Sequence, residues 1–252
     1  MNTHQLLFNH KYDDVISRCR RVLEQKPDDP ASTEGMARAL RAKAQYAESL
    51  AFFERLAIQR SRDEATNRVA PDSFPWNIDI ACLHWMLGNE STATQMMHGL
   101  AAGVLDGTVN YGDAAGGVTQ GLLLYYMGVS INRPQEVTFA LGYMRNRVDR
   151  SVSRVWPTPV AQHYLGDVTF EQLLEAASRR ANVAVEVEAW KVDLGKRRRI
   201  TVALFHNGIR GRAQGDNGHC LARMRQCCEL ENPLLEQEWY LARHENGRAE
   251  RA

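Results

Sequence analysis

His219, Cys220, Cys227 and Cys228 come closest in this sequence to a metal-binding set. Thiolates and imidazole are the donors zinc prefers. Cys220 and Cys227 stand seven residues apart, so on a helix both thiols share one face with Met224 between them. The same spacing also suits three small or medium apolar positions packed in a helical core, and that is the assignment we favour. A second candidate is the stretch Tyr111-Gly112-Asp113-Ala114-Ala115-Gly116-Gly117, which could offer backbone amides to an anion at a helix start. It follows no strand pattern, so Asp113 reads as a helix cap, and Gly117, Gly121 and Gly128 read as places where helices approach closely. Gly208, Gly211, Gly215 and Gly218 read as turns and close packing in the same way. His84, His98 and His163 lie in helical segments with no nucleophile or carboxylate at a fixed spacing, which points to structural histidines. The sequence contains no H-E-x-x-H, C-x-x-C, G-x-S-x-G or phosphate-loop motif. We therefore expect no metal, no cofactor and no catalysis.

Elements that would position these residues are strongly helical in pattern. The 252-residue chain is 44% hydrophobic and 24% charged, enough for one large or two small cores. Its longest apolar run, from Gly121 to Val129, is about half of the roughly 18 residues a membrane span requires. The first residues lack a basic stretch followed by an apolar one, so a cytoplasmic protein is expected. Five cysteines at irregular spacing read as reduced, mostly buried thiols.

The net charge of +1 gives no global pull toward nucleic acid or membrane, but charge is unevenly distributed. Residues 179–225 hold eleven lysines and arginines, among them Arg198, Arg199 and Arg212, against Glu186, Glu188, Asp193 and Asp216, a local charge of +7. This segment suits an acidic partner. Aromatics are not interleaved with the basic residues as stacking platforms for bases, which favours protein over RNA.

A repeat organises the chain. His10-Lys11-Tyr12-Asp13-Asp14-Val15 aligns with Ala44-Gln45-Tyr46-Ala47-Glu48-Ser49 at a period of 34 residues, and Cys19, Val22 and Leu23 then fall on Phe53, Leu56 and Ala57. Pro27 and Pro30 separate the two units. Ala81 and Gly88, Gly121 and Gly128, and Gly208 and Gly215 each lie seven apart, a helix-contact residue followed by a turn. Thr169 and Gln172 have capping-box spacing. Asn232 and Pro233 would start a terminal helix with Leu234 to His244 as its body. Residues Ser61 to Pro75 read as an insertion. Val183 to Phe205 alternates like a β-hairpin, but Val185, Ala189 and Val192 also share a helical face, and we read helix there.

Tyr12, Tyr46, Ala37, Phe53 and Pro27 resemble the pattern of the tetratricopeptide repeat (TPR) family. The resemblance implies an all-α superhelical solenoid of about six antiparallel helix pairs plus a terminal helix, as a single domain over 1–252, with the closest repeats in 1–60 and degenerate ones in 75–245. It also implies a concave surface, lined by the first helix of each unit, that binds a peptide or protein. Projected onto that surface, the register gives Arg38, Arg41, Trp85, Met86, Tyr125, Tyr126, Ile209 and Arg212. Tyrosine, tryptophan and arginine often dominate binding energy. With Arg198 and Arg199 these form the expected partner-binding set. The family's carboxylate clamp is not reproduced. The expected function is non-catalytic protein binding, specifically a bacterial immunity protein that occludes a toxin's active site. The alternatives are a secretion chaperone or adaptor, and RNA binding through 179–225.

Overall fold

A computed structural model describes residues 2–65, 76–109, 117–150, 155–179, 189–230 and 236–250. These form thirteen α-helices and no strand. In chain order they are α1 (Thr3–Phe8), α2 (Tyr12–Gln25), α3 (Pro30–Ala42), α4 (Tyr46–Ala65), α5 (Asn77–Met86), α6 (Glu90–Asp106), α7 (Val118–Ser130), α8 (Pro134–Arg150), α9 (Thr158–Leu165), α10 (Phe170–Ser178), α11 (Ala189–Ala213), α12 (Asn217–Glu229) and α13 (Gln237–Ala249). Among the described residues no helix is long and apolar enough to cross a membrane.

The helices group into six pairs closed by one kind of turn. In each, a backbone N–H just after the first helix reaches back five residues to a carbonyl: Lys11 to Leu6, Gln45 to Leu40, Asn89 to His84, Arg133 to Gly128, Asp167 to Gln162 and Asp216 to Gly211, all at 2.8–2.9 Å. The residue before each donor is left-handed: His10, Ala44, Gly88, Asn132, Gly166 and Gly215, with φ between +53° and +89°. This is the Schellman arrangement, which satisfies carbonyls that a helix end leaves unpaired. His10 and Ala44, aligned by the 34-residue period, occupy the same place in their turns.

The fourth pair departs from the expected register. Gly128 is still helical, and the turn residue is Asn132, so the contact-to-turn spacing of seven does not hold there. Gly121 and Gly128 nonetheless lie where helices nearly touch. A Cβ on Gly121 would come within 2.6 Å of Tyr143, and one on Gly128 would meet Glu136 and Val137 of α8 at 3.1 Å.

Other boundaries follow local chemistry. Asp29 caps α3 through Ser32 N–H, with Pro30 in the first turn, and Thr169 and Gln172 complete the expected capping box of α10. The helix α4 runs on through Ser61 to Ala65, so the first residues of the insertion read over Ser61 to Pro75 are helical; 66–75 lies outside the described residues. Asp113 and residues 183–188 lie outside as well. From Ala189 the hairpin alternative is replaced by α11. Its middle, Thr201 to Ile209, is buried all round, which erases a clear helical period from the sequence. The start expected at Asn232 and Pro233 lies outside the described residues; α13 has Glu236 at its N-cap and continues past His244 to Ala249.

Successive helices pack in chain order, and the later ones also return to the earlier ones: α11 meets α7 and α9, while α13 meets α5 and α11. One core extends from Ala37 to Ala242, and a smaller one joins α1, α2 and α3. Leu194 of α11 packs on that smaller core, and the Arg197 guanidinium lies 5.2 Å from the Phe8 ring centre.

Candidate partner-binding site

The first helices of several pairs converge on α13. Arg41 on α3 is fully buried, with its guanidinium 4.2 Å from the ring centre of Tyr240 on α13. It pairs with Asp79 on α5 and donates at 2.9 Å to Gln237 of α13, whose amide donates in turn to Asp79 at 2.7 Å. Burial works against the Arg41 charge, but Asp79 and Tyr240 more than offset it, so the group is held firmly protonated. On α7, the Tyr126 hydroxyl donates to Glu245 of α13 at 2.8 Å. The Tyr126 ring packs between Trp85, 5.2 Å away, and Phe205, 5.0 Å away. Arg212 on α11 donates to the other oxygen of Glu245 at 2.9 Å and to Ser130 at 3.0 Å. Burial alone would raise the Glu245 carboxyl, yet Arg212 and the Tyr126 hydroxyl bring it below the ordinary glutamate value.

A third connection uses residues the sequence reading did not single out. His206 on α11 is fully buried between the Tyr164 hydroxyl, 2.8 Å from Nδ1, and a Glu238 oxygen, 3.2 Å from Nε2. A carboxylate accepts, which assigns the proton to Nε2 and leaves Nδ1 to accept from Tyr164. Arg243 and Arg248 add links from α13 to the Ala42 carbonyl at 3.2 Å and to Glu90 at 3.1 Å.

The register therefore brings Arg41, Trp85, Tyr126 and Arg212 together on one side, as projected, but that side is not open. Arg41, Trp85, Tyr126 and Ile209 have no exposed surface, and Tyr125 is 7% exposed, its ring 4.2 Å from that of Tyr164. Arg212 retains 17% of its side-chain surface, and Met86 is buried too. The expectation of an exposed concave set is corrected for these residues. The chain's own terminal helix covers them, placing Glu245 opposite Arg212, and Gln237 and the Tyr240 ring beside Arg41. Arg38 is bound to Glu34 of its own helix and keeps 13% of its side-chain surface.

The basic segment is also engaged internally. Arg198 pairs with Glu236 at 2.6 Å, and Arg199 donates to the Ala177 and Arg179 carbonyls at 2.9 and 2.7 Å, closing the end of α10. Burial, then the neighbouring Arg198, lowers the Arg199 pKa. Arg210 holds the His163 carbonyl, and Arg223 holds Asn207 while lying over Phe170. Of the segment expected to suit an acidic partner, Lys196 and Arg179 are exposed and Arg197 and Arg198 partly so.

Cys220, Met224 and Cys227 are fully buried, and burial pushes the two thiols above the ordinary cysteine value, as fits a core position. His163 is buried and bonded within the core. His98 differs from expectation: its Nδ1 lies 2.7 Å from Glu136, a carboxylate supplied by α8 from 38 residues away. Asp79, Glu238 and Glu245 were the missed site residues. Glu238, Leu241, Ala242 and Glu245 follow i, i+3, i+4, i+7 spacing, so charged groups standing in an apolar stripe were the available signal.

No protein-family model matches the chain, and the search of curated proteins likewise finds no match.

Proposed function

We propose that the chain is a non-catalytic, TPR-like superhelical array that binds another protein stoichiometrically in the cytoplasm, and that it serves as a bacterial immunity protein covering the active site of a cognate toxin. The observation that supports this reading is the sixfold recurrence of one helix–turn–helix unit, with a left-handed residue and a five-residue-back hydrogen bond at the same place in each. Stacked units of this kind build a broad, stiff surface, and breadth is what steric occlusion of another protein requires. The titratable groups brought together inside the array, Asp79, His206, Glu238 and Glu245, are buried and pair with one another's helices, so they serve assembly of the fold.

The exposed Arg179 and Lys196, with the partly exposed Arg197, are the proposed contact for an acidic partner surface. RNA is disfavoured because Arg198, Arg199, Arg210, Arg212 and Arg223 already hold internal acceptors. Co-production with the product of an adjacent toxin-like gene tests the reading. Restored growth with a 1:1 complex is expected, and unrelieved toxicity with no complex would refute it. Reversing Lys196 to glutamate should slow association at low salt, since rim charges act mainly on encounter. An unchanged association rate would remove these residues from the interface.

A further inference from the structure

Asn207 on α11 is buried, and its one amide joins three helices. Its Oδ1 accepts from Arg223 Nε at 3.0 Å and from His219 Nε2 at 2.8 Å, both on α12, while its Nδ2 lies 3.3 Å from Nε2 of His163 on α9. Arginine only donates, so Arg223 fixes which end of the amide faces α12. The NH2 end therefore faces His163, and a donor there requires Nε2 to accept. This assigns the His163 proton to Nδ1, which lies 3.1 Å from the Val168 carbonyl in the turn that leads to α10. Arg210 approaches the same nitrogen at 3.1 Å but donates to the His163 carbonyl at 2.7 Å.

Neutral His163 fits this chain of bonds, and charged His163 does not. A second proton must enter at Nε2, where it meets the Asn207 NH2 with no acceptor between them. Turning the amide over would only move that conflict to Arg223. Neither His206 nor His219 faces the same problem. His219 Nε2 donates to Asn207 whatever its other nitrogen holds, and at His206 the Tyr164 hydroxyl can turn to accept while Glu238 keeps the Nε2 proton. The surroundings of His163 also oppose a charge: burial above all, then Arg210 and His206 of α11, against the Val168 carbonyl and Glu171 of α10. From α12 comes Arg223, and from α8 Arg145, which pairs with Asp167 in the turn after α9. From α7 comes Tyr125, its ring against that of Tyr164.

From this hydrogen-bond geometry we propose that His163 and Asn207 form a proton-operated latch: with one proton on the ring, α9 and α10 are held to α11 and α12, and a second proton releases this fifth helix pair while the rest of the array stays folded. The pair is suited to local opening, since its helices have only 8 and 9 residues. Arg223 carries the effect to α10, because the guanidinium bound to Asn207 also lies 4.6 Å from the Phe170 ring centre. The latch belongs to the fold and is independent of which partner the protein binds.

Hydrogen exchange on the full chain at about pH 5 and about pH 7.5, corrected for the intrinsic pH dependence of amide exchange, reads the opening. Protection of the α9 and α10 amides should fall at least about tenfold more than that of α5 and α7 at the lower pH. A smaller difference would overturn the proposal. Asn207→Asp puts an oxygen where the NH2 stood, and that oxygen can accept from the doubly protonated ring. In this variant the acid loss should vanish, and the ring NMR shifts of His163 should show its second proton held to higher pH. An acid loss equal to the wild type's would overturn the proposal. The unaltered protein decides the matter where the variant does not fold: ring nitrogen NMR at neutral pH should find the His163 proton on Nδ1, and a proton on Nε2 instead would overturn the latch.

Discussion

Arg212 and Glu245, 33 residues apart in sequence, meet at 2.9 Å and join the last helix pair to the terminal helix α13. The Tyr126 hydroxyl reaches the same carboxylate from the fourth pair. One glutamate thereby ties three parts of the array together, and its removal leaves a largely buried cation and a fully buried hydroxyl without that acceptor.

Buried and exposed ion pairs should differ sharply in cost. Arg41→Leu leaves Asp79 without its cation inside the core and should destabilise the fold by about 3 kcal/mol. Arg179→Ala removes a pair whose side chains are 64% and 66% exposed, and should change stability by under about 0.5 kcal/mol. Urea denaturation of the two variants checks both values. Equal costs would mean that Arg41 is solvated.

Glycines in the same helix pair should respond in opposite senses. Gly121→Leu forces a side chain against Tyr143 and Met144 and should cost about 1–3 kcal/mol or more. A Cβ on Gly142, on the exposed side of α8, meets nothing within 4 Å, so Gly142→Ala should stabilise by about 0.5–1 kcal/mol. Denaturation midpoints report the two directions, and an unshifted midpoint for Gly121→Leu would displace the α7–α8 contact.

The second turn carries an alanine where the third, fifth and sixth pairs carry glycine. Ala44 sits at φ +59°, which costs an L-residue roughly 1 kcal/mol. Ala44→Gly should recover about 0.5–1 kcal/mol, and Gly88→Ala should lose a similar amount. Thermal melting of both variants tests whether the turns are equivalent.

The helical pairing was legible because turn chemistry and helix caps act over a few residues. Tyr12 and Tyr46 do begin equivalent helices, α2 and α4, and Thr169 caps α10 as its spacing implies. The register of the fourth pair was misread because Gly128 resembles a turn glycine, while Asn132, which also tolerates the left-handed region, carries the turn. The cover over Arg41 and Tyr126 was not legible. Arg41 and Gln237 are 196 residues apart and Tyr126 and Glu245 are 119 apart, and no local pattern encodes such pairings. The concave projection includes Arg41, Trp85, Tyr126 and Arg212, which lie around α13 in the structure, yet it could not show that α13 returns to cover them.

A pH dependence should arise from His163. Burial is the main influence holding it below the ordinary histidine value, opposed by its bond to the Val168 carbonyl and reinforced by Arg210. A depressed folded pKa means the unfolded chain binds the proton more readily. Stability from this group is therefore complete above the unfolded value near 6.5 and falls as the pH drops through the folded one. Unfolding free energy should decline as the pH drops below about 6.5, and His163→Gln should flatten that slope. An unchanged slope in the variant would assign the dependence elsewhere.

The placement of α13 is tested most directly by a double-mutant cycle between Arg212→Ala and Glu245→Ala, read as unfolding free energy in urea. If the helix covers Arg212, the two changes remove one shared interaction, and a coupling of about 1 kcal/mol or more is expected. Effects that add to within about 0.3 kcal/mol would show that Arg212 and Glu245 do not meet, and that the terminal helix lies elsewhere.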